Sequence, residues 1–428
     1  MYPIIRVLYS GLLYACLPIV LLRLVWRSMH YRVLRARLRE RFGILKTKPK
    51  PGQTLWIHAV SVGEIQSIVP FVQAFYRIYP HVRIHITTTT ATGLARAETL
   101  MGHLAEVSFF PYDLGQNWTR FFKAVRPSML ILVESEIWPN LLHECANQKI
   151  PVIMANARLS QRSFRRWRRI SGYARRMFQP IQFVGAQSAV DAERFAKVGI
   201  PLSKIGEIGN LKFDIHLSAE STRIAKQLRT TWGSRPVWIA ASTHPGEEAV
   251  VLKVHQQLLV EWPDLILILV PRHPERFQGI AQLLEQQGVP FVTRSSEHQL
   301  SGQQHVYLGD TLGELRMLYQ CADVAFVAGS LVPVGGHNPL EPAAAAIPSV
   351  MGPYVENCLA IVRALQDVGA LTVIHQTDEL MKKIDYYLSS PEERIAAGKA
   401  GAEWVGHNQG SCENLLNEVS RHWVESSH

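Results

Sequence analysis

The chain has few cysteines and lacks the residue patterns that build a disulfide framework, a redox motif or a metal centre. Its five cysteines are scattered singly through 428 residues, and no pair has the spacing of a metal site or a redox motif. Clusters of histidine, aspartate and glutamate with clear ligand spacing are also missing from the sequence. The sequence therefore predicts a protein of a reducing compartment that requires no disulfide and no metal.

Acidic residues are almost absent from the first fifty positions, which hold eleven Lys or Arg and a single acid, Glu40. The other 378 residues hold 34 basic and 34 acidic residues, so the net charge of +10 belongs to this N-terminal segment. An uncharged apolar run from Val7 to Leu22 precedes a basic flank, which comprises Arg23, Arg27, Arg32, Arg35, Arg37, Arg39 and Arg41. A cleaved signal peptide carries its basic residues before the apolar run. We therefore expect residues 1–50 to form an uncleaved inner-membrane anchor, spanning the bilayer or lying in its inner leaflet, with the body on the cytoplasmic side.

From Thr54 onward, short apolar runs that suit strands alternate with amphipathic stretches that suit helices. This alternation is typical of parallel α/β layers, and nine or more such strands predict two doubly wound domains. The strand-like runs stop near Phe213–Thr231, where a polar, helix-like stretch intervenes. We therefore predict a first Rossmann-like domain over residues 51–214 and a second over residues 215–428.

The stretch GSLVPVGGHNPLEP, residues 329–342, stands where an apolar strand should turn into a helix. Its paired glycines allow the backbone to approach a ligand closely. Asn338 suits an N-cap, Pro339 the first helical position, and Glu341 falls three residues after the cap. Free backbone donors at a helix start attract phosphate, and a carboxylate can bind the hydroxyls of a ribose, so the stretch suits a nucleotide. A well-capped helix without a ligand is the alternative that the motif alone leaves open.

Polar residues of the first domain also follow predicted strands. Glu64 lies in a Ser-x-Gly-Glu turn and is a candidate general base, although a helix N-terminus would stabilise its ionised form and weaken it. Glu134 and Glu136 follow the apolar run Met129–Val133, and Lys212 lies at the proposed domain junction, where a cation suits a leaving phosphate. A helix-start glutamate, a polar strand cap and a solvated lysine are the plain structural alternatives.

Several loops of the second domain have the same polar character. If their strands are parallel, these loops share one edge of the sheet and line one pocket for phosphate, base and ribose. The residues concerned are Ser242, Thr243, His244, Arg272, His273, Gly313 and Glu314.

A second stretch without acids, Arg158–Arg176, carries eight arginines interleaved with Phe164, Trp167 and Tyr173. Such a pattern suits nucleic acid, or a membrane surface or phosphorylated lipid. Because the chain also has a predicted anchor, we expect an anionic membrane surface, and no nucleic acid, as the partner of this stretch.

Eight motifs, taken in order, resemble those of the 3-deoxy-D-manno-octulosonic acid (Kdo) transferases of lipopolysaccharide assembly. They extend from Leu55 to about Gly352 and read HAVSVGE, VESEIWPN, NARLS, GNLKFD, STHPGEE, PRHPER, GDTLGEL and GGHNPLEP. The resemblance implies an α/β protein of GT-B architecture, in which two Rossmann-like domains face a cleft behind an N-terminal anchor helix. The acceptor would bind the first domain and the nucleotide sugar the second.

The resemblance also implies a reaction and its residues. The donor would be CMP-Kdo and the acceptor the lipid A precursor lipid IV-A, a phosphorylated, acylated glucosamine disaccharide, with inversion at the transferred sugar. Glu64 would be the general base, and Glu134 and Lys212 would stabilise the transition state. Since the donor carries a single phosphodiester, no metal is expected to bridge a diphosphate. The CMP part would be held by Pro271, Arg272, Leu312, Gly313, Glu314, Asn338, Pro339, Leu340 and Glu341.

Three alternatives remain open on the residues alone. Another GT-B transferase, moving a sugar from a UDP-sugar to a lipid, would share the fold and the anchor. A nucleotide-sugar epimerase would share the fold but would need no membrane segment. A membrane-associated binding protein without catalysis would need the arginines but not a row of polar loops at strand ends.

Overall fold

The computed structural model describes residues 2–30, 35–46, 51–215, 217–300 and 302–425. The chain forms two compact units. Unit 1 comprises Met1–Asp214 and Gln409–His428, and unit 2 comprises Ile215–Asn408. Each unit is built around one parallel sheet, as the alternation of strands and helices predicts.

Unit 1 has seven parallel strands: β1 Thr54–His58, β2 Arg83–Thr88, β3 Ala105–Phe109, β4 Met129–Val133, β5 Val152–Ala157, β6 Ile181–Ala186 and β7 Ile205–Glu207. Their order across the sheet is β3-β2-β1-β4-β5-β6-β7. The helices before unit 2 are α1 Tyr2–His30, α2 Val62–Ile78, α3 Ala91–Met101, α4 Gly115–Val125, α5 Pro139–Asn147, α6 Gln161–Arg169, α7 Ser171–Met177 and α8 Ala189–Lys197. Short 3-10 turns cover Leu38–Phe42, Leu202–Lys204 and Leu211–Phe213.

Unit 2 repeats the plan with β8 Val237–Thr243, β9 Ile266–Pro271, β10 Phe291–Thr293, β11 Val306–Leu308, β12 Val324–Val327, β13 Ser349–Met351 and β14 Leu371–Val373. Their order is β10-β11-β9-β8-β12-β13-β14. The helices are α9 Ala219–Trp232, α10 Glu247–Glu261, α11 Phe277–Gln286, α12 Leu315–Tyr319, α13 Leu340–Ala344, α14 Leu359–Asp367, α15 Thr377–Ser389 and α16 Pro391–His407. Two further 3-10 turns cover Pro274–Arg276 and Arg294–Ser296.

The central strands are buried on both faces, which explains why they read as continuous apolar runs rather than as alternating patterns. All five residues of β4, MLILV, are buried, and so are all seven of β8, VWIAAST. A parallel sheet with helices on both faces leaves its functional groups to the loops at the strand ends.

The last helix, α17 Ser411–Glu425, returns to unit 1. The Trp423 ring packs edge-on against Phe75 of α2 at a centroid distance of 5.5 Å. The buried carboxylate of Asp214 fixes the return by accepting the backbone N–H of Gly410 at 2.7 Å and that of Cys412. The predicted second domain, 215–428, therefore differs from unit 2 at its end, because the apolar side of α17 completes the core of unit 1. That apolar side comprises Leu415, Val419 and Trp423.

One described helix, α1, is long and apolar enough to cross a membrane, over Ile4–Leu22 with a mean hydropathy of 2.0. One side of α1 contacts unit 1, where the Tyr9 hydroxyl donates to Asp113 Oδ2 at 3.0 Å and the Ser10 hydroxyl donates to Asn140 Oδ1 at 3.1 Å. Elsewhere the helix exposes a row of apolar side chains that suits lipid: Ile4, Val7, Leu8, Leu12, Ile19 and Leu22.

Part of the predicted basic flank is bound into unit 1 rather than left for lipid. Arg37 pairs with Glu40 at 2.7 Å and donates to the carbonyl of Val107 in β3. Arg41 is buried, donates to the carbonyl of Phe110 at 3.1 Å and places its guanidinium 4.3 Å from the centre of the Phe109 ring. Arg32 lies outside the described residues. At least two arginines expected near anionic lipid therefore hold the segment after α1 against the sheet.

Candidate active site

The strand order of unit 1 reverses between β1 and β4, and the predicted catalytic groups gather at the ends of these strands. Glu64 lies in the first turn of α2, directly after β1, and Glu134 follows β4. Lys212 Nζ lies 2.9 Å from Glu134 Oε1, and the charges of both residues act on the Glu64 carboxyl. The structure thus brings together all three side chains, at the kind of switch point where parallel sheets bind ligands.

Glu64 is held by a capping box. The Ser61 hydroxyl donates to Glu64 Oε1 at 2.8 Å, and the backbone N–H of Val60 donates to Glu64 Oε2 at 2.8 Å. These bonds favour the ionised carboxylate, yet burial outweighs them and raises the pKa of Glu64 above its ordinary value. The bonds at the helix N-terminus thus act in the expected direction, but burial outweighs them and the net shift of the Glu64 pKa is upward.

Glu134 and Lys212 are positioned by strained and capped backbone. Glu134 has a φ of +62°, a left-handed conformation that costs a non-glycine residue of order 1 kcal/mol or more. Lys212 lies in the turn Leu211–Phe213, where Asn210 Oδ1 accepts its backbone N–H at 3.0 Å. Asn156, at the end of β5 with a φ of +55°, accepts the neighbouring N–H of Leu211 at 3.1 Å. Two asparagines therefore orient the turn that carries the lysine.

Glu136 adds a third carboxylate beside this group. Burial and the charges of Glu64 and Glu134 raise its pKa to about 6, against a hydrogen bond from Trp138 Nε1 that acts the other way. Its Oε2 lies 3.9 Å from Nε2 of His58, a fully buried histidine whose Nδ1 contacts the carbonyl of Thr87 at 3.1 Å. Burial lowers the pKa of His58 to about 3, so this imidazole is neutral at physiological pH.

In unit 2, the predicted donor residues occupy loops that follow β9 and β11. Pro271 ends β9, and the backbone N–H of the exposed Arg272 donates to the carbonyl of Thr243 at 3.0 Å. Leu312 is 74% exposed, and Gly313 has a φ of +84°, which permits a tight turn.

Glu314 accepts two bonds from the guanidinium of Arg294, at 2.9 and 3.0 Å, and one from the Thr311 hydroxyl. The bond from Arg294, the largest influence, lowers the pKa of Glu314. This bidentate pair leaves the backbone of Leu312 and Gly313, rather than the Glu314 carboxylate, as the free part of that loop.

The predicted nucleotide loop differs from expectation in how it starts its helix. Asn338 Oδ1 accepts the backbone N–H of Leu340 at 3.1 Å, so it does serve as a cap, but α13 begins at Leu340 and Pro339 precedes it. Glu341 does not close a capping box, because its Oε1 accepts from Arg316 Nε at 3.0 Å. The cause is the position of Arg316 on the neighbouring helix α12, which sequence spacing does not reveal.

Sequence reasoning missed the role of Glu247, a fully buried carboxylate at the start of α10. It accepts the backbone N–H groups of His244 and Gly329 through Oε2, at 2.9 and 2.8 Å, and those of Ser330 and Leu331 through Oε1, at 3.1 and 3.0 Å. It thereby joins the loop after β8 to the loop after β12. The Gly-Glu pair in STHPGEE is the one signal that marks this residue in the sequence.

Comparisons with known proteins bear directly on these two units. Residues 36–215 match the family described as 3-Deoxy-D-manno-octulosonic-acid transferase (kdotransferase), and residues 235–404 match Glycosyl transferases group 1. The 3-deoxy-D-manno-octulosonic acid transferase of Haemophilus influenzae is 40% identical over 414 residues, covering 96% of this chain and 97% of that protein. The chain belongs to the Kdo transferase family. The resemblance found in its eight motifs is therefore confirmed.

Solved structures share the fold of this Kdo transferase. The glycosyltransferase from Rickettsia africae ESF-5 aligns over 88% of this chain and 99% of that one, with a TM-score of 0.52 at 13% identity. The C-terminal CMP-Kdo binding domain of WaaA from Acinetobacter baumannii is 33% identical and covers 44% of this chain and 98% of that domain, with a TM-score of 0.41. The predicted fold class and enzyme class are confirmed: this Kdo transferase is a glycosyltransferase with two parallel-sheet α/β domains of the GT-B kind.

Proposed function

We propose that this enzyme transfers Kdo from CMP-Kdo to the lipid A precursor lipid IV-A, with inversion, at the inner face of the cytoplasmic membrane. The observation that supports the proposal most directly is the meeting of Glu64, Glu134 and Lys212 at the switch point of unit 1. A buried carboxylate with a raised pKa, beside a cation paired to a second carboxylate, suits a transfer that creates charge of both signs.

Glu64 is the proposed general base. Its raised pKa strengthens it as a proton acceptor, and its capping bonds fix both oxygens while leaving each a further lone pair for the acceptor hydroxyl. Removal of that proton lets the hydroxyl oxygen attack the ketosidic carbon from the face opposite the departing CMP. The bond to the CMP phosphate breaks as the new glycosidic bond forms, which inverts the centre in a single displacement.

Glu134 and Lys212 are the proposed transition-state stabilisers. Loss of CMP develops positive, oxocarbenium-like charge on the sugar and negative charge on the departing phosphate. The carboxylate of Glu134 favours the first, and the ammonium of Lys212 favours the second. Their 2.9 Å contact keeps the two groups oriented at one place.

The loops of unit 2 are the proposed CMP site. Arg272 supplies an exposed cation after β9, and the turn at Leu312–Gly313 offers backbone groups to the base. Asn338 and Pro339 directly precede α13, which begins at Leu340. In this assignment Glu341 binds the ribose hydroxyls and exchanges its bond with Arg316 for them.

The acceptor and the membrane are assigned to the surface formed by α1, α6 and α7. All eight arginines of Arg158–Arg176 are exposed, while Phe164 and Tyr173 of the same stretch are buried in the core of unit 1. The apolar helix α1 lies against α7. An apolar row beside a basic surface suits an anionic leaflet that holds a phosphorylated lipid.

Transfer of labelled Kdo from CMP-Kdo to lipid IV-A tests the proposal. Purified protein is incubated with CMP-Kdo labelled in the sugar and with lipid IV-A, with and without a chelator, and the lipid fraction is counted. We expect labelled lipid in both samples. Label that stays out of the lipid would show that the donor or the acceptor is wrong, and loss of transfer with chelator would overturn the metal-independent reaction. UDP-GlcNAc serves as the alternative donor in a parallel sample.

A further inference from the structure

Two histidines of unit 2 meet at the point where the strand order of its sheet reverses. His244 follows β8, and His337 lies in the loop after β12, the neighbour of β8 on the side away from β9. Their Nε2 atoms lie 2.8 Å apart, and their ring planes are within 12° of parallel. The pair therefore bridges the two loops at the place where a doubly wound sheet binds its ligand.

Two neighbouring residues, Glu247 and Gly329, position this histidine pair. The buried carboxylate of Glu247 accepts the backbone N–H of His244 and that of Gly329, so it sets the spacing of the two loops. Gly329 has a φ of +69°, and a Cβ there would lie 2.8 Å from Cδ2 of the His337 ring. Only glycine therefore allows the His337 ring to lie where it does.

The contact between the rings fixes their protonation. Two Nε2 atoms at hydrogen-bond distance need one proton between them, so one ring donates and the other accepts. Burial, aided by Arg272, lowers the pKa of His337 to about 4, and burial also lowers the pKa of His244. The pair is neutral at physiological pH, and the ring that donates through Nε2 has a lone pair on its Nδ1.

The surroundings favour an anion. His273 lies edge-on to His244 at a centroid distance of 5.3 Å, and the charges of Arg272 and of Arg276, which is paired with Glu248 at 2.6 Å, act on the same ring. The acid that acts on His244 is Glu247, whose carboxylate is already engaged by four backbone N–H groups. An anion placed here gains from the cations and meets no free carboxylate among the described groups that act on the pair.

We infer that His244 and His337 form a phosphate-binding pair for the sugar donor, which takes up one proton as the phosphate enters. This inference rests on the proposed CMP-Kdo site. The proton comes from solvent and occupies Nδ1 of the ring that donates through Nε2, so that both rings then carry an N–H on Nδ1. The pair gains one positive charge, which matches the single negative charge of a phosphodiester.

The pH dependence follows from the sign of this coupling. A bound phosphate raises the pKa of the pair above that of the free protein, so binding takes up a proton at every pH between the two values. Affinity for the donor falls as pH rises through that window, by up to about tenfold per pH unit. Below the free pKa the pair is already charged and the dependence disappears.

The test uses the full-length protein and cytidine 5′-(methyl phosphate), a diester that does not titrate near neutral pH. Isothermal titration calorimetry at about pH 7 in two buffers of different ionisation enthalpy counts the protons taken up. We expect uptake approaching one proton per ligand. His244→Gln and His337→Gln each keep a hydrogen-bonding group near the position of Nε2 but cannot be charged, so uptake should vanish and affinity at about pH 6.5 should fall about tenfold. His298→Gln, at an exposed histidine of unit 2, is the matched control and should behave as wild type.

Binding without proton uptake in the wild type, or uptake that persists in both glutamine variants, would overturn the inference while leaving the CMP site intact. Failure of both CMP and its methyl ester to bind would overturn the donor assignment itself, and the inference with it.

Discussion

Glu64 is both a capping residue of α2 and the proposed base, and the two functions compete. The N–H of Val60 and the hydroxyl of Ser61 stabilise its charge, whereas burial destabilises it, and burial prevails. The sequence predicts the capping bonds, because they depend on neighbours in the chain. It cannot predict burial, because burial depends on how parts of the chain that are distant in sequence pack around the residue. The direction of the Glu64 pKa shift therefore cannot be predicted from the sequence alone.

Replacing Glu64 by glutamine should greatly reduce turnover and leave the affinity for CMP nearly unchanged. Glutamine keeps the capping acceptor and the shape but cannot take a proton, so kcat should fall by about a hundredfold or more. The Kd for CMP should stay within about twofold, since CMP is assigned to unit 2. Labelled transfer and calorimetry measure the two quantities. Glu193→Gln, at an exposed glutamate of unit 1, is the control, and near-normal turnover of Glu64→Gln would show that another group accepts the proton.

Glu136 should destabilise the folded protein at neutral pH. The pKa of Glu136 in the folded protein is about 6, above the ordinary 4.5. Its favourable contribution to the free energy of unfolding is therefore fully present below pH 4.5 and is lost as pH rises through 6. Glu136→Gln, which keeps an acceptor for Trp138, should therefore stabilise the protein by about 2 kcal/mol near pH 7.5. Thermal unfolding of both forms checks this, with the comparison near pH 4 as the internal control. An unchanged Tm at both pH values would contradict the raised pKa.

At the scale of elements, helices α1, α6 and α7 differ in the type of side chain that they expose. The exposed row of α1 is apolar, and α6 and α7 expose arginines while burying their aromatic residues. The sequence pattern predicts both properties, since they depend on composition within one stretch. The sequence pattern overestimates the basic flank after α1, because Arg37 donates to the carbonyl of Val107 in β3 and Arg41 to the carbonyl of Phe110 just after β3, both distant in sequence.

Deleting residues 1–30 should convert firm membrane attachment into attachment that depends on salt. Without α1 the remaining attraction comes from exposed arginines, each worth about 1 kcal/mol near an anionic surface, and salt screens it. Pelleting with anionic vesicles at low and high ionic strength measures the change. Adding four substitutions on α6 should remove the low-salt binding as well: Arg162→Gln, Arg165→Gln, Arg166→Gln and Arg169→Gln.

A matched set in unit 2 should leave low-salt vesicle binding intact: Lys226→Gln, Lys253→Gln, Lys382→Gln and Lys399→Gln. These lysines are exposed, and the set removes the same amount of charge. A deletion variant that still pellets at high salt would show that the body of the protein binds lipid by apolar contact.

At the scale of the whole molecule, two parallel α/β units follow directly from the alternation of strands and helices. The start of unit 2 also agrees with the predicted junction near residue 214, where the strand-like runs stop. The return of α17 does not follow from the sequence. The sequence of an amphipathic helix does not indicate which of two cores the helix completes. The packing of Trp423 on Phe75 shows that α17 completes the core of unit 1.

Truncation after Asn408 should therefore destabilise unit 1 rather than unit 2. It removes three buried apolar side chains, each worth roughly 1.5–3 kcal/mol, from a core whose total stability is only about 5–15 kcal/mol. We expect early unfolding of unit 1, while CMP still stabilises unit 2 in the same melt. Hydrogen exchange of β1 and β8 distinguishes the two units. Equal protection of both strands in the truncated chain would contradict the assignment of α17.

The return of α17 also sets an order of events during synthesis. Domains commonly fold from the N-terminus as the chain leaves the ribosome. Here residues 215–408 are complete before α17 has emerged, so unit 2 can finish folding while unit 1 still lacks part of its core. We expect the nascent chain to reach the membrane through α1 with its proposed catalytic unit unfinished. Residues 411–425 would then complete the core of unit 1, so that this unit finishes folding only after unit 2 has been translated.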